Sequence, residues 1–529
     1  MLFESPSRQK TEESDQGKPL WAFDVSTSWH HRGHSPVGIT RTEVEFARYF
    51  CKRHPNIVLT VYDRKSKQHF VLPTEYGEQL LGLDLSPPDE SEAAANEANT
   101  TSDAIPSLTR VRKAGHLRRW CYWADLTGSL LALLILPSKW PAYHKLKSRT
   151  LRRLAKRGWL LSDRWREATE KKLRVHPSRP KYRREYQTYQ NLYSSRLDLA
   201  PCRISHAKKL DFSKLARYIS VGCSWDMNNL EAISRERCAH GFSVTTCVYD
   251  LVPIVMPDVV AHGLNELFPP HVLNQLSCSD SIACISESTK HDLEQYIQRT
   301  GSPRPRIEVC RLGYAPDVPS VDDCPASLKH LSGKPFALYV ATFEPRKNHV
   351  FLHFLWNQLI DRGIAPPIPV VMAGCPGWRT EDLLDRMRLN RKLTPEHLVL
   401  AHGLSDAEIA WLYRNCRFTV YPSLYEGWGL PITESLSHGK YCIASDNSSL
   451  PEAGQGLTRN INLLDGREWI EEVERCITDD NYLHQREERI SRGFETRSWE
   501  DSAAELYALV EHTPSPTRTS NSPVVGKAA

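Results

Sequence analysis

The residues richest in chemistry follow five short apolar runs in the second half of the chain: FALYVAT, PVVMAG, LVLAHG, FTVYPS and YCIASD. The segments just after them read EPRKN (344–348), CPGW (375–378), LSD (404–406), LYEGWGLP (424–431) and NSSLPE (447–452). Arg346 and Lys347 are adjacent cations. The first can grip a phosphate through two parallel N–H bonds, the second as a point charge. In EGWGLPITESLSHG, Pro431 suits the first turn of a helix and Gly439 its end. Gly427 and Gly429 let backbone amides approach a ligand closely, and a helix N-terminus behind glycines attracts anions. Glu426 precedes that helix and Glu434 lies in its first turns, eight positions later, so the two can face one ligand from two sides. The blander reading has Glu434 complementing the helix dipole and Glu426 solvated in a loop. Taken together, the cations and the glycine loop suit neutralisation of a diphosphate leaving group.

These loops need a scaffold that brings them to one edge. Each apolar run is separated from the next by a helix-length segment, a βαβ series that implies a parallel, doubly wound sheet. In such a sheet ligands bind beyond the carboxyl ends of the strands, where all five loops fall. The first half repeats the pattern: WAFDVST, NIVLTVYD, HFVL, YISVG, TTCVYDLVPIV, SIACIS and RIEVCRLG alternate with polar, helix-like stretches. VGITRTEVEFARYF starts a helix with Val44, Ala47 and Phe50 on one face, and Ser286 or Ser288 is placed to cap another.

With 529 residues, 40% hydrophobic and 25% charged, the chain is ordinary globular material for two to four domains of about 150 residues. The net charge of +5 is too small to imply a nucleic-acid partner. It is unevenly spread: residues 110–185 hold 22 Lys/Arg against 5 Asp/Glu, leaving about −12 for the rest. That block contains Leu130-Leu-Ala-Leu-Leu-Ile-Leu136, flanked by Trp120, Tyr122, Trp123, Trp140 and Tyr143. It is too short to span a bilayer. It reads as an interfacial segment for an anionic membrane surface or as a buried helix under a basic surface, with a nucleic-acid groove, from its interleaved Arg and Trp, as a third and weaker reading. The boundaries read as a disordered tail (1–19), an N-terminal domain (20–315) holding an acidic linker (84–106) and a basic insertion (107–200), an interdomain linker (316–334), a C-terminal domain (335–495), a last helix (496–512) and a tail (513–529).

Several chemistries lack their residues. There is no G-x-x-x-x-G-K-[ST] loop, no G-x-S-x-G elbow, and no two aspartates two apart to clamp a metal. GWGLPI half-matches a dinucleotide fingerprint, but its third glycine is Ile432. His30, His31 and His34 cluster without a carboxylate partner and read as a polar loop rather than a metal site. The 14 cysteines form no C-x-x-C pair, and many lie in apolar runs (Cys247, Cys284, Cys442), as buried reduced thiols would. The N-terminus shows no apolar leader segment.

YVATFEPRKN, VVMAGCPGW and LAHGLSDAEIAWLYRNCRFTVYPSLYEGWGLPITESLSHGKYCIASDNSSLPE together resemble the donor domain of the retaining glycosyltransferases of family 4, densely over residues 336–452. DVST…VGITRTEVEFA, VYDLVPIVMPD and CISESTKHDL resemble that family's acceptor domain more loosely. The subgroup most resembled includes bacterial enzymes that add mannose or related sugars to lipopolysaccharide and exopolysaccharide. The resemblance implies an α/β chain of the GT-B fold: two Rossmann-like domains facing a cleft, here with a basic insertion in the first. It implies a nucleotide-diphospho-sugar donor, GDP- or UDP-linked, a glycan or lipid-linked acceptor, no cofactor and no metal, at the cytoplasmic face of a membrane. On this resemblance Arg346 and Lys347 hold the diphosphate, with amides at Gly427, Gly429 and Leu430. Glu426 contacts the donor sugar, Glu434 the ribose, and Gly403 and Leu404 lie by the base. Thr342 stands on the donor side, in the stretch where many members carry an arginine. Gly38 and Arg41 belong to the acceptor-side loop. Asp250 lies near the reacting centre, with Tyr249 where many members have histidine. Other readings are a GT-B epimerase or a non-catalytic scaffold that retains a sugar-nucleotide site.

Overall fold

The computed structural model describes residues 19–32, 38–82, 207–261, 263–314, 323–363, 368–375, 377–390, 392–394 and 396–514. The acidic linker, the basic insertion with its apolar heptad, most of both tails, His34 and residues 316–322 lie outside the described residues.

The first sheet holds β1 (Leu20–Asp24), β2 (Ile57–Asp63), β3 (Gln68–Val71), β4 (Leu215–Ser220), β5 (Ser243–Val248), β6 (Ser281–Cys284) and β7 (Arg306–Val309), in the order β3-β2-β1-β4-β5-β6-β7. Every pairing is parallel except the β2–β3 hairpin. The second sheet holds β8 (Ala337–Val340), β9 (Val370–Ala373), β10 (Leu398–Ala401), β11 (Phe418–Tyr421), β12 (Cys442–Ser445) and β13 (Arg459–Ile461), ordered β10-β9-β8-β11-β12-β13 and parallel throughout. Strands β5, β9, β11 and β12 are buried along their whole length. That is what helices on both faces demand, and why these runs read as continuous apolar stretches rather than as alternation.

In both sheets the chain winds outward one way from the first strand, then returns to wind the other way. The switch points lie between β1 and β4, and between β8 and β11. Two doubly wound sheets meeting through their carboxyl-end loops make the GT-B architecture, an α/β fold with two Rossmann-like halves. Some predicted boundaries move. Ala326–Leu331, within the expected linker, is a short 3₁₀ helix whose Leu328 and Leu331 are buried in the core beneath β8 and β9. Two apolar side chains in an otherwise polar stretch suffice to dock it. Thr513, expected in the tail, is buried, and its hydroxyl bonds Ser281 at 2.9 Å.

The last helix, Trp499–His512, carries the chain back onto the first half. Its Leu506, Leu509 and Val510 are buried, and Tyr507 packs on Phe50 of helix Ile39–Arg53, ring centroids 5.1 Å apart. Arg217 of β4 donates to the carbonyls of Glu511 (2.8 Å) and Thr513 (2.5 Å), closing the helix's C-terminal end. Leu506→Ala should therefore cost about 2–5 kcal/mol, read as a lower denaturation midpoint at unchanged slope. A neutral outcome would mean the helix contributes little to the union of the two halves.

Candidate functional site

Strand β8 ends at Val340, and the chain turns through Glu344 into the single turn Pro345–Lys347. Strand β11, its neighbour across the switch point, ends at Tyr421 and runs through Glu426 to helix Leu430–Ser437. Adjacent parallel strands thus deliver Arg346 and Lys347 to the same place as Glu426.

There the side chains form a tight buried cluster. Lys347 donates through Nζ to Glu426 Oε1 (2.5 Å) and to the Tyr421 hydroxyl (2.8 Å). Arg346 bonds the other Glu426 oxygen and also Glu344 at 2.6 Å. The Ser423 hydroxyl donates to Glu426 at 2.6 Å, the Tyr421 hydroxyl donates to Glu426 at 3.1 Å, and the Glu426 amide donates to Ser448 Oγ at 3.0 Å. Burial by itself would push the Glu426 carboxyl up; Arg346 and Lys347 overcome it and hold it down at about 2. Glu426 is therefore ionised throughout the working range.

Asp250 closes the cluster from the first half. One of its oxygens accepts the Val252 amide at 3.0 Å. Burial raises its carboxyl, and the charge of Arg346 opposes that. Glu434 lies in helix Leu430–Ser437, where the Tyr413 hydroxyl donates to it at 2.9 Å. Burial raises it too; Tyr413, Arg41 and Lys347 pull it back. Arg41 and Glu434 thus lie within electrostatic reach of each other, and Lys347 is within reach of both Glu426 and Glu434.

The glycines answer first to protein packing. A Cβ on Gly427 would fall 2.0 Å from the Tyr249 carbonyl oxygen and 3.2 Å from Asp250 Cβ. Only a bare backbone lets the two halves touch there, and the Thr289 hydroxyl bridges the contact to Tyr249 O (3.2 Å) and Gly427 O (3.4 Å). Gly429 has φ +119°, and a Cβ there would press Leu450 at 2.9 Å. Gly38 has φ +52° and open space around it, at the head of helix Ile39–Arg53.

Arg346, Lys347, Glu426, Gly427 and Asp250 are thus brought together, with Glu434 and Arg41 alongside. Thr342 is half-buried one turn before Arg346, with its methyl under the β9 loop, 3.0 Å from where a Gly377 Cβ would stand. Gly403 and Leu404 share the sheet edge, but among the described residues no hydrogen bond joins them to the cluster, and Leu404 packs into the core under β10. His30 and His31 bond the carbonyls of Tyr62 and Thr27. Glu344, Tyr421, Ser423 and Ser448 were not singled out from sequence. Glu344 and Ser448 stood in strand-end loops already read as important; Tyr421 sits inside a strand and carried no signal. Glu452 was also missed. It reaches the first half, accepting from Arg311 Nε at 2.9 Å and from the Glu287 amide at 3.0 Å.

Residues 321–486, which contain most of this cluster, match the family described as glycosyl transferases group 1. The chain carries a glycosyl transferase group 1 domain. It is 33% identical to the O-antigen chain mannosyltransferase B of Escherichia coli over 35% of this chain and 50% of that protein. It is 26% identical to the serotype-specific mannosyltransferase WbdA of Escherichia coli over 42% of this chain and 29% of the relative. The chain therefore spans half or less of these relatives. Among solved structures it is similar to a UDP-forming α,α-trehalose-phosphate synthase from Burkholderia xenovorans, with TM-score 0.46, 14% identity and coverage of 57% of this chain and 75% of that one. Among the described residues no helix is long and apolar enough to cross a membrane.

Two outcomes follow from the geometry of the group 1 domain. A carboxyl held low in the fold stabilises above the ordinary carboxylate range and loses that contribution as the pH falls towards about 2. Glu426→Gln should accordingly cost about 3 kcal/mol at neutral pH and little in strong acid, measured by denaturant titration across pH. Gly427→Ala should force Tyr249 away and part the two halves, seen as a larger radius of gyration in solution scattering.

Proposed function

We propose that the protein is a retaining, metal-independent hexosyltransferase. It moves mannose or a similar sugar from a GDP- or UDP-linked donor to a lipid-linked or polysaccharide glycan. The observation that carries this reading is the buried Arg346–Lys347–Glu426 cluster at a topological switch point inside a glycosyl transferase group 1 domain. The mannosyltransferase names of the Escherichia coli relatives favour mannose.

In this mechanism the bond from the sugar's anomeric carbon to the leaving phosphate oxygen breaks. The acceptor oxygen bonds that carbon on the same face, and the acceptor proton passes to the departing phosphate. Negative charge grows on the diphosphate, and Arg346 and Lys347, held at the strand ends, are placed to neutralise it. Glu426 pairs with both cations before a donor binds. When a diphosphate takes them, Glu426 turns to the hydroxyls of the donor sugar, ionised and acceptor-only. Glu434 receives the ribose. Asp250 orients the incoming hydroxyl from the opposite wall, where Arg41 and Gly38 also stand. No residue is required as a covalent nucleophile.

The test is a thermal-shift panel of GDP, UDP, dTDP and ADP, without and with magnesium. A nucleotide at a hundred times its dissociation constant should stabilise by about 2.7 kcal/mol. We expect a shift with one base, unchanged by chelator and abolished in Lys347→Ala. Failure of every nucleotide to shift the transition would overturn the reading, as would a shift that needs the metal.

A further inference from the structure

The first sheet has a switch point of its own, between β1 and β4, and a second carboxyl cluster lies there that the transfer chemistry does not use. Glu43, in the second turn of helix Ile39–Arg53, is completely buried. Its Oε2 accepts the Ser28 amide at 2.5 Å. Its Oε1 lies against the backbone of Gly222, 2.0 Å from where a Cβ would stand, and among the described residues no donor bonds it in ordinary hydrogen-bond geometry. The Thr27 hydroxyl stands beside it, 2.1 Å from that same point, and accepts the Cys223 amide at 2.7 Å. One side chain thus touches the segment after β1 and the loop after β4 from the helix that joins β1 to β2.

What those loops support lies in the cleft. Val221 accepts the Tyr249 hydroxyl at 2.6 Å, and the Tyr249 carbonyl is the atom against Gly427. On the other side, Glu43 belongs to the same helix as Arg41, two residues away, and that helix starts at Gly38. We propose that Glu43 is a positioning residue: its carboxyl locks the loops after β1 and β4 to helix Ile39–Arg53, and so holds Arg41 and the Tyr249–Asp250 wall in register across the cleft. This rests on the cleft being the transfer site proposed above.

Among the described residues no cation faces this carboxyl. Its ionisable neighbours are Asp24 at the end of β1 and the Tyr249 hydroxyl after β5; Thr27 and Ser28 are neutral. Burial, reinforced by Asp24, pushes Glu43 up to about 8. Asp24, itself raised by burial to about 6, is held by Ser26, Ser220 and Asn228. At neutral pH Glu43 therefore keeps its proton, and an uncompensated charge appears in the lock when the pH passes about 8. The sign is that of a raised acid: its contribution is present below the unfolded carboxylate range and is lost as pH rises through the folded value.

Glu43→Gln keeps the shape and an acceptor for Ser28 but cannot ionise; Glu43→Ala removes the lock. Three readouts apply from weakly acid to alkaline pH: the thermal midpoint, the midpoint shift caused by the nucleotide diphosphate that binds, and nucleotide release from GDP-mannose with acceptor glycan. We expect the wild-type midpoint to fall from the ordinary carboxylate range up to about 8 and to level off above it, and turnover to drop as the pH passes about 8; Glu43→Gln should show neither change. Glu43→Ala should lose turnover on the order of 10–100-fold, the cost of misplacing a wall, with its nucleotide shift retained. A difference infrared spectrum should show a protonated carboxyl band at neutral pH that vanishes in alkali, absent in Glu43→Gln. The same loss of midpoint below about 8 persisting in Glu43→Gln, or full turnover in Glu43→Ala, overturns the proposal. The midpoint and infrared readouts need no sugar, so failure of the donor reading alone is recognised by their success.

Discussion

The structure turns on one constraint: two cations and the carboxylate between them are largely withdrawn from solvent together, with side-chain exposures of 17%, 12% and 8%. Arg346 and Lys347 would be costly to bury alone, and so would Glu426. Each is tolerated because the others are within hydrogen-bond reach, with Glu344, Tyr421, Ser423 and Ser448 adding further hydrogen bonds. That arrangement requires β8 and β11 to be neighbours, and the strand order 3-2-1-4-5-6 within the second sheet makes them so. The topology is what concentrates charge at one point of the sheet edge.

The second half of the cleft is built by contact rather than by charge. Gly427 against the Tyr249 carbonyl, and Thr289 between them, let two domains meet through bare backbone. Around that point lie longer-reaching ties: Glu452 to Arg311 and the Glu287 amide, and the last helix returning to Phe50 and Arg217. Glu452 also places a carboxylate at the start of helix Glu287–Thr300, where the exposed amides favour negative charge. The ties come from distant parts of the chain, so the union of the halves does not depend on a single linker.

The two switch points treat buried carboxyls in opposite ways. In the second sheet cations hold Glu426 low and charged; in the first, Glu43 and Asp24 have only hydroxyls, amides and each other, and are pushed up. A charged group suits a place where a charged ligand must be exchanged. A neutral acid suits a place that must hold its shape.

Much of this was legible in the residues. The apolar runs gave twelve of the strands, because buried parallel strands read as unbroken hydrophobic stretches; the three-residue β13 carries too few apolar residues to register. Ser286 caps its helix through the Thr289 amide as its position implied, and Arg346, Lys347 and Glu426 were visible as strand-end residues. The reasons behind some residues were not legible: Gly427 and Gly429 looked like space for a ligand and proved to be space for Tyr249 and Leu450. Tyr421, Ser423 and Glu43 gave no signal, since a hydroxyl in a strand or an acid in a helix looks the same whether solvated or buried. By itself, then, the sequence determined the two α/β halves and the charges at the strand ends, because burial and periodicity are local properties of the chain. Which charges meet, which glycines carry contacts and which carboxyls keep their protons was decided only by the tertiary structure, because distance and desolvation arise between segments far apart in sequence.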